Sequence, residues 1–234
     1  MFDRMQVVII AGGLATRLGS LTKDQPKSLI RVLGKPFLEY QMDFLRRGGV
    51  ENVVLCTGHL GEQIESYFGD GKGFGVNIKY SREPKLLGTA GAIKNAQPLL
   101  HDQFFTLYGD SFVFVDFKAA RTRFAAMNLP ALMTVYKNNN LYDKSNTALD
   151  GDMVTRYSKH DRTPDMVYID YGVNLFKKSV LDMVPSNEPY PLENLHQRLI
   201  EKRQLGALEI RERFFEIGSL QGLSDFEEHV RKAG

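Results

Sequence analysis

Through the first 110 residues, short apolar runs alternate with stretches whose apolar residues recur at helical spacing, and few folds accommodate that rhythm. Val7-Val8-Ile9-Ile10 predicts a strand over 7–11, and further strands are expected over 52–57, 76–80 and 104–108. Phe37, Tyr40, Gln41, Phe44 and Leu45 predict a helix over 36–47, with Pro36 near its start. Leu60, Ile64 and Phe68 share one face of a helix over 60–68, and a third helix is expected over 88–100. Strands separated by helices build a mostly parallel sheet with helices on both faces. Ligands then collect at the carboxyl ends of the strands.

The second half is less regular. Strands are expected over 131–136, 146–149, 153–157 and 172–176, joined by polar turns, with helices over 192–203 and 219–232. No Pro/Gly/Ser linker, repeat or low-complexity stretch divides the chain. With 43% hydrophobic residues, 234 residues suffice for one large α/β domain. Thirty basic residues against 28 acidic ones leave a formal charge of +2, so no basic surface for nucleic acid is expected. The lone cysteine, Cys56, lies in an apolar run and reads as a small core residue; disulfides and a four-cysteine zinc site are excluded. The start, Met1-Phe2-Asp3-Arg4, has no signal-peptide core, and no run approaches the ~18 apolar residues of a membrane span. The expectation is a cytoplasmic protein without a membrane partner.

Ala11-Gly12-Gly13 follows the first strand, where paired glycines let backbone N–H groups approach an anion closely. Arg17 and Lys27 add two positive charges, and the combination suits a triphosphate. It is neither a Walker loop, lacking Gly-Lys-Ser/Thr, nor a dinucleotide fingerprint, lacking Gly-x-Gly-x-x-Gly. Asp110, in Gly109-Asp110-Ser111, ends another apolar strand and reads as a metal carboxylate or as a helix N-cap. Gly69-Asp70-Gly71-Lys72-Gly73-Phe74-Gly75 looks like a phosphate loop but follows a helix and precedes a strand, the reverse of what anion binding needs. The five histidines are scattered and form no nucleophile–base motif.

Ala-Gly-Gly-x-x-x-Arg-Leu, then Pro-Lys-Ser-Leu, then Leu87-Gly88-Thr89-Ala90-Gly91-Ala92, then Gly109-Asp110-Ser111, resembles the sugar-1-phosphate nucleotidyltransferases over most of the chain. The resemblance implies a single Rossmann-like, doubly wound, mostly parallel mixed sheet with a late acceptor-binding lobe. Residues 1–115 would then form the nucleotide half and 116–234 the sugar-phosphate half. Ala15 stands where that family usually has a third glycine, so the loop is expected to differ slightly in shape.

In the reaction implied, a sugar 1-phosphate oxygen attacks the α-phosphorus of a nucleoside triphosphate and pyrophosphate leaves. The nucleophile is already ionised, so catalysis reduces to aligning two anions and neutralising charge. The resemblance implies that Arg17 clamps the β- and γ-phosphates and that Lys27 meets the α-phosphate or the sugar phosphate. Ala11, Gly12, Gly13, Glu83, Gly88 and Thr89 would line the nucleotide. Asp110 would hold Mg²⁺ with Glu216, which stands one methylene longer where the family usually has Asp; a buried structural carboxylate is the other reading of Glu216. Lys159 would reach the sugar phosphate, or is an exposed surface lysine. Gly172 and Asn174 resemble sugar-hydroxyl contacts, with Asp170 supporting them or satisfying a turn. Glu193 is a sugar contact or a first-turn acid facing the helix dipole. The version of the 88–92 loop is similar to that of mannose- and heptose-1-phosphate guanylyltransferases, favouring GTP and a manno-configured sugar. A uridylyl-, thymidylyl- or cytidylyltransferase, and a non-catalytic nucleotide-sugar-binding subunit, are the rival readings. A homo-oligomer is compatible with the sequence, which carries no signal for or against one.

Overall fold

Successive residues of the first strand face opposite sides of the sheet, and both sides are buried. In β1 (Gln6–Ile10), Val7 and Ile9 enter one apolar cluster and Val8 enters another. That is why the strand reads as an unbroken apolar run rather than an alternation. The computed structural model describes residues 5–13, 18 and 22–233. After β1 come a small hairpin of β2 (Arg31–Val32) and β3 (Lys35–Pro36), then α1 (Phe37–Arg47), β4 (Asn52–Thr57), α2 (Gly61–Phe68), β5 (Asn77–Arg82), α3 (Gly88–Asn95) and β6 (Gln103–Tyr108). The chain continues through β7 (Ser111–Phe112), α4 (Phe117–Met127), β8 (Ala131–Lys137), β9 (Thr147–Asp150), β10 (Met153–Tyr157) and β11 (Tyr168–Lys177). It closes with α5 (Leu192–Glu201), β12 (Leu205–Ile210), β13 (Phe215–Glu216) and α6 (Leu220–Ala233).

Nine strands form one sheet in the order β5-β4-β1-β6-β11-β8-β12-β10-β9. The first four in that order are parallel. β11 then runs antiparallel to β6 and β8, and β12 returns parallel to β8. One apolar cluster packs α1, α2 and α4 on one face; the other packs α3 and α5 on the opposite face. A third joins Phe226 of α6 to Val32 of the hairpin, Phe37 and Ile217. The chain moves from β1 outward to β4 and β5, then returns across β1 to place β6 on its other side. A crevice opens outside the carboxyl ends of two strands where such a reversal occurs. No helix of the described residues is long and apolar enough to cross a membrane.

The alternating half follows the sequence closely, and the strand at 52–57 is found with those bounds. The helix expected over 88–100 ends at Asn95, followed by a 3-10 turn over Gln97–Leu99, because Pro98 has no N–H to continue the ladder. In the second half the strand expected over 172–176 runs from Tyr168 to Lys177. The two-residue strands β2, β3 and β7 were not anticipated, nor were two longer elements, α4 and β12. The first is capped by Asp116, whose side chain accepts from the N–H groups of Lys118 and Ala119 at 3.0 Å each. Only Phe117, Ala120 and Phe124 of that helix are buried, so its apolar stripe is narrow and hard to see in sequence. The second, Leu-Gly-Ala-Leu-Glu-Ile, hides its strand character behind two small residues, yet pairs with β8 along all six.

Candidate active site

Two clefts open at the switch point, and they share Tyr108 and Asp110 as common walls. The first, about 340 Å³, is lined by Ala11, Gly12 and Gly13 after β1, by Lys27 and Ser28, by Glu83, by Gly88 and Thr89, and by the end of β6. Gly12 has no room for a side chain: a Cβ there would lie 2.5 Å from Oε1 of Glu83. The close approach lets Glu83 stand over the glycine loop while its other oxygen accepts the Leu87 N–H at 2.9 Å. Burial pushes the Glu83 carboxyl up, and the Leu87 N–H partly offsets this. In the first turn of α3 the amides of Ala90 and Gly91 are not free for the cleft. Ala90 and Gly91 donate to the Tyr190 carbonyl at 2.9 and 3.0 Å, and Thr89 Oγ1 accepts the Leu192 N–H at 2.7 Å. Those bonds fasten the segment before α5 beneath the cleft.

The second cleft is larger, about 640 Å³, and far more ionic. Lys159, Arg162, Asp170, Gly172, Arg213 and Glu216 line it together with Asp110. Gly172 explains much of its shape. Its φ of +95° is a conformation that L side chains rarely adopt, and the register of β11 against β8 shifts between Asp170 and Asn174. The irregularity leaves the Asp170 carboxylate at the cleft, where it accepts the Gly172 N–H at 3.0 Å and the Tyr157 hydroxyl at 3.3 Å. Burial raises the Asp170 pKa; the Lys159 charge, the Gly172 N–H and the Tyr157 hydroxyl pull it back. Lys159 lies over the Tyr108 ring, its Nζ 5.7 Å from the centroid. The Arg213 guanidinium stacks between Tyr142 and Phe215, 4.2 and 4.9 Å from their centroids, and pairs with Asp225.

The carboxylates between the clefts are gathered by the backbone. β7 and β13 form an antiparallel ladder that sets Glu216 opposite Ser111, and the Ile217 N–H donates to the Asp110 carbonyl at 2.9 Å. Lys27 Nζ sits 2.6 Å from Asp110 Oδ2. Glu216 is turned toward the start of α6, where one oxygen accepts from the Gly218 N–H and the other from Ser219 Oγ. Asp110, in the turn before β7, and Glu216, on β13, are the hard oxygen donors nearest this junction. Such a pair suits a small dication that keeps several waters and is completed by phosphate oxygens. No group of three or more His, Cys, Asp or Glu side chains gathers among the described residues, as an all-protein metal cage would require.

The structure brings most of the residues singled out in the sequence to the two clefts. Ala11, Gly12, Gly13, Lys27, Glu83, Gly88, Thr89 and Asp110 surround the first cleft. Asp110, Lys159, Gly172 and Glu216 surround the second. Asn174 is not brought there: it is fully buried, opposite Thr106 of β6 and Met133 of β8, and lines neither cleft. Glu193 also lines neither; its carboxylate accepts the backbone N–H of Lys159 at 3.0 Å and so ties down the loop bearing that lysine. Arg17 and Ala15 lie outside the described residues. Arg162 and Arg213 of the second cleft went unassigned, and Asp170, read as supporting the sugar contacts or satisfying a turn, lines the cleft itself. For Asp170 the signal was an acid two residues before a glycine inside an otherwise apolar strand. The glycine-rich 69–75 segment lines neither cleft and is a turn between α2 and β5.

A family model described as nucleotidyl transferase matches residues 6–232. The chain is similar to a D-glycero-alpha-D-manno-heptose 1-phosphate guanylyltransferase of Campylobacter jejuni, with 30% identity over 92% of this chain and 95% of the relative. It is also similar to a UTP–glucose-1-phosphate uridylyltransferase of Synechocystis, 32% identical over 80% of this chain but only 53% of that protein. In fold it resembles the crystal structure of HddC from Yersinia pseudotuberculosis, with a TM-score of 0.81, 23% identity, and coverage of 97% of this chain and 99% of that one.

Proposed function

From a chain that belongs to the nucleotidyl transferase family and is a sugar-1-phosphate nucleotidyltransferase, we infer that the two clefts hold a nucleoside triphosphate and a sugar 1-phosphate on either side of Asp110. The observation that carries this reading is the shared wall: Tyr108 and Asp110 line both clefts, so the two substrates meet there. The segment up to residue 115 supplies most of the nucleotide side, and the remainder supplies the acceptor side.

In the reaction, a sugar-phosphate oxygen forms a bond to the α-phosphorus, the bond from the α-phosphorus to the α–β bridging oxygen breaks, and pyrophosphate departs. The attacking oxygen carries its charge at neutral pH, so no residue removes a proton. Alignment and charge neutralisation remain for the protein to supply. Lys27 leaves Asp110 for the phosphates, and Arg17 serves the β- and γ-phosphates. Lys159 holds the sugar phosphate from the far side. Glu83 and the backbone at Gly88 and Thr89 face the nucleoside, while Gly172 and Asp170 face the sugar. Asp110 and Glu216 hold Mg²⁺, which offsets negative charge on the two phosphates when bound. Glu216 keeps unused lone pairs for this role beyond its bonds to Gly218 and Ser219.

The nucleotide is GTP and the acceptor a manno-configured hexose or heptose 1-phosphate in this reading. The end-to-end match with a heptose 1-phosphate guanylyltransferase supports it. A matrix of nucleoside triphosphates against sugar 1-phosphates, scored by pyrophosphate release with Mg²⁺, provides the test. Highest turnover is expected with GTP and a manno-configured acceptor. Preference for UTP, dTTP or CTP refutes the base assignment, and no turnover with any pair refutes the reaction.

A further inference from the structure

Gln41 is an anomaly on its helix. Phe37, Leu38, Met42 and Leu45 of α1 are buried and apolar, and Gln41 among them is only 1% exposed. Burying a carboxamide is unfavourable unless its donors are used. Here Nε2 donates to the Tyr108 carbonyl at 2.9 Å and to the Ser111 carbonyl at 2.7 Å. Both partners are acceptors, so the amide nitrogen must face them; an oxygen in that position would confront two oxygens. The two bonds bracket Gly109-Asp110 from either side. The carbonyl of Asp110 itself is held from the opposite direction by the Ile217 N–H. Ser111 is also the residue paired with Glu216 across the β7–β13 ladder. The loop between the clefts is thus fastened at three successive places by two separate elements.

We propose that Gln41 is a positioning residue for nucleotidyl transfer, holding the Asp110 loop from helix α1 so that its carboxylate meets the metal without Gln41 touching any substrate. The proposal rests on the reading of Asp110 as a metal ligand. Its side-chain amide does for the carboxylate what an outer hydrogen-bonded partner does for a metal-bound group, fixing orientation rather than supplying charge.

The test compares wild type, Gln41→Met, Gln41→Glu and Asp110→Asn. Gln41→Met keeps the length and volume but has no donor. Expected for it are about 10- to 100-fold losses in kcat and in Mn²⁺ affinity, the latter read by electron paramagnetic resonance with Mn²⁺ alone. The KM for the triphosphate stays within about threefold of wild type, since none of its contacts are removed. Gln41→Glu turns an acceptor toward two carbonyls and loses more at pH 8. It recovers toward pH 6, where the protonated carboxyl donates to one of them; Gln41→Met shows no such recovery. A purely packing role shifts the melting temperature of both variants but leaves Mn²⁺ affinity and the pH profile at wild-type values, which overturns the proposal. If Asp110→Asn itself binds Mn²⁺ and turns over like wild type, the reading of Asp110 fails instead.

Discussion

The two clefts are built by different means. The first sits on parallel strands and takes its lining from short loops just past their carboxyl ends, Ile10 to Gly13 and Tyr108 to Asp110. The second sits where the sheet turns antiparallel, and its lining comes from a bulged strand, the loops around 143 and 159–162, and the segment 213–216. In the first, a residue's place follows from which strand it ends. In the second, it follows from register, and one shifted residue moves a side chain from core to cleft. In the proposed reading the parallel half grips the phosphates and the antiparallel half reads the acceptor.

Asp110→Asn strikes the wall shared by both clefts and has the largest expected effect, a loss of about 10³-fold in turnover with an unchanged melting curve. An effect confined to one substrate's KM would show that the clefts are less coupled than their common lining indicates. Gly172→Ala acts on the antiparallel half alone. Forcing a Cβ onto a φ of +95° costs roughly 1–3 kcal/mol, and the displaced Asp170 raises the KM for the sugar phosphate while that for the triphosphate stays level. Equal changes in both constants would erase the division of labour.

His196 separates the halves by pH. It lies in α5, fully buried against Tyr157 and Phe176, and desolvation, aided by the Lys159 charge, lowers its pKa to about 3. The folded protein refuses a proton that the unfolded chain accepts near its ordinary 6.5. Its contribution is therefore complete above pH 6.5 and is lost as pH falls from there toward 3. His196→Leu is expected to flatten the fall in melting temperature between pH 7 and pH 4. An unaltered acid slope would mean that other groups carry it. The smallest effect belongs to Asp116→Ala, which removes the cap of α4 at a residue that lines neither cleft. About 1 kcal/mol of stability is lost in denaturant titration, with kcat and both KM values unchanged.

The same contrast governs what could be read from the sequence. Strands buried on both faces announce themselves as apolar runs, and the crossover helices between them carry wide apolar stripes, so the half up to β6 was legible nearly to its boundaries. With those boundaries came the glycine loop and Asp110, because strand ends specify where such residues point; Lys27 opens a 3-10 turn instead. β11 was legible only in its carboxyl-terminal half, 172–176. Asp170 looks like a turn residue, yet a left-handed Gly172 and a register shift keep it within a ten-residue strand. Asn174, two positions beyond Gly172, is consequently core, whereas Asp170, two positions before it, reaches the cleft. Glu216 was placed by the short apolar segment around it, but its bonds to Gly218 and Ser219 depend on how α6 begins, which periodicity does not encode. Gln41 was counted as one more position on a helical face; only the two carbonyls opposite it distinguish it from its apolar neighbours.

The ladder between β7 and β13 has a consequence in time. Lys27 and Asp110 are made early in synthesis, and the parallel strands beside them are complete once β6 has emerged. Glu216 and the Ile217 N–H that holds the Asp110 carbonyl come late, and Phe226, which packs α6 onto the early hairpin, later still. On the proposed reading, a nascent chain would carry its phosphate-binding residues well before Glu216 could complete the metal site. Catalysis would then report that α6 has been made and docked.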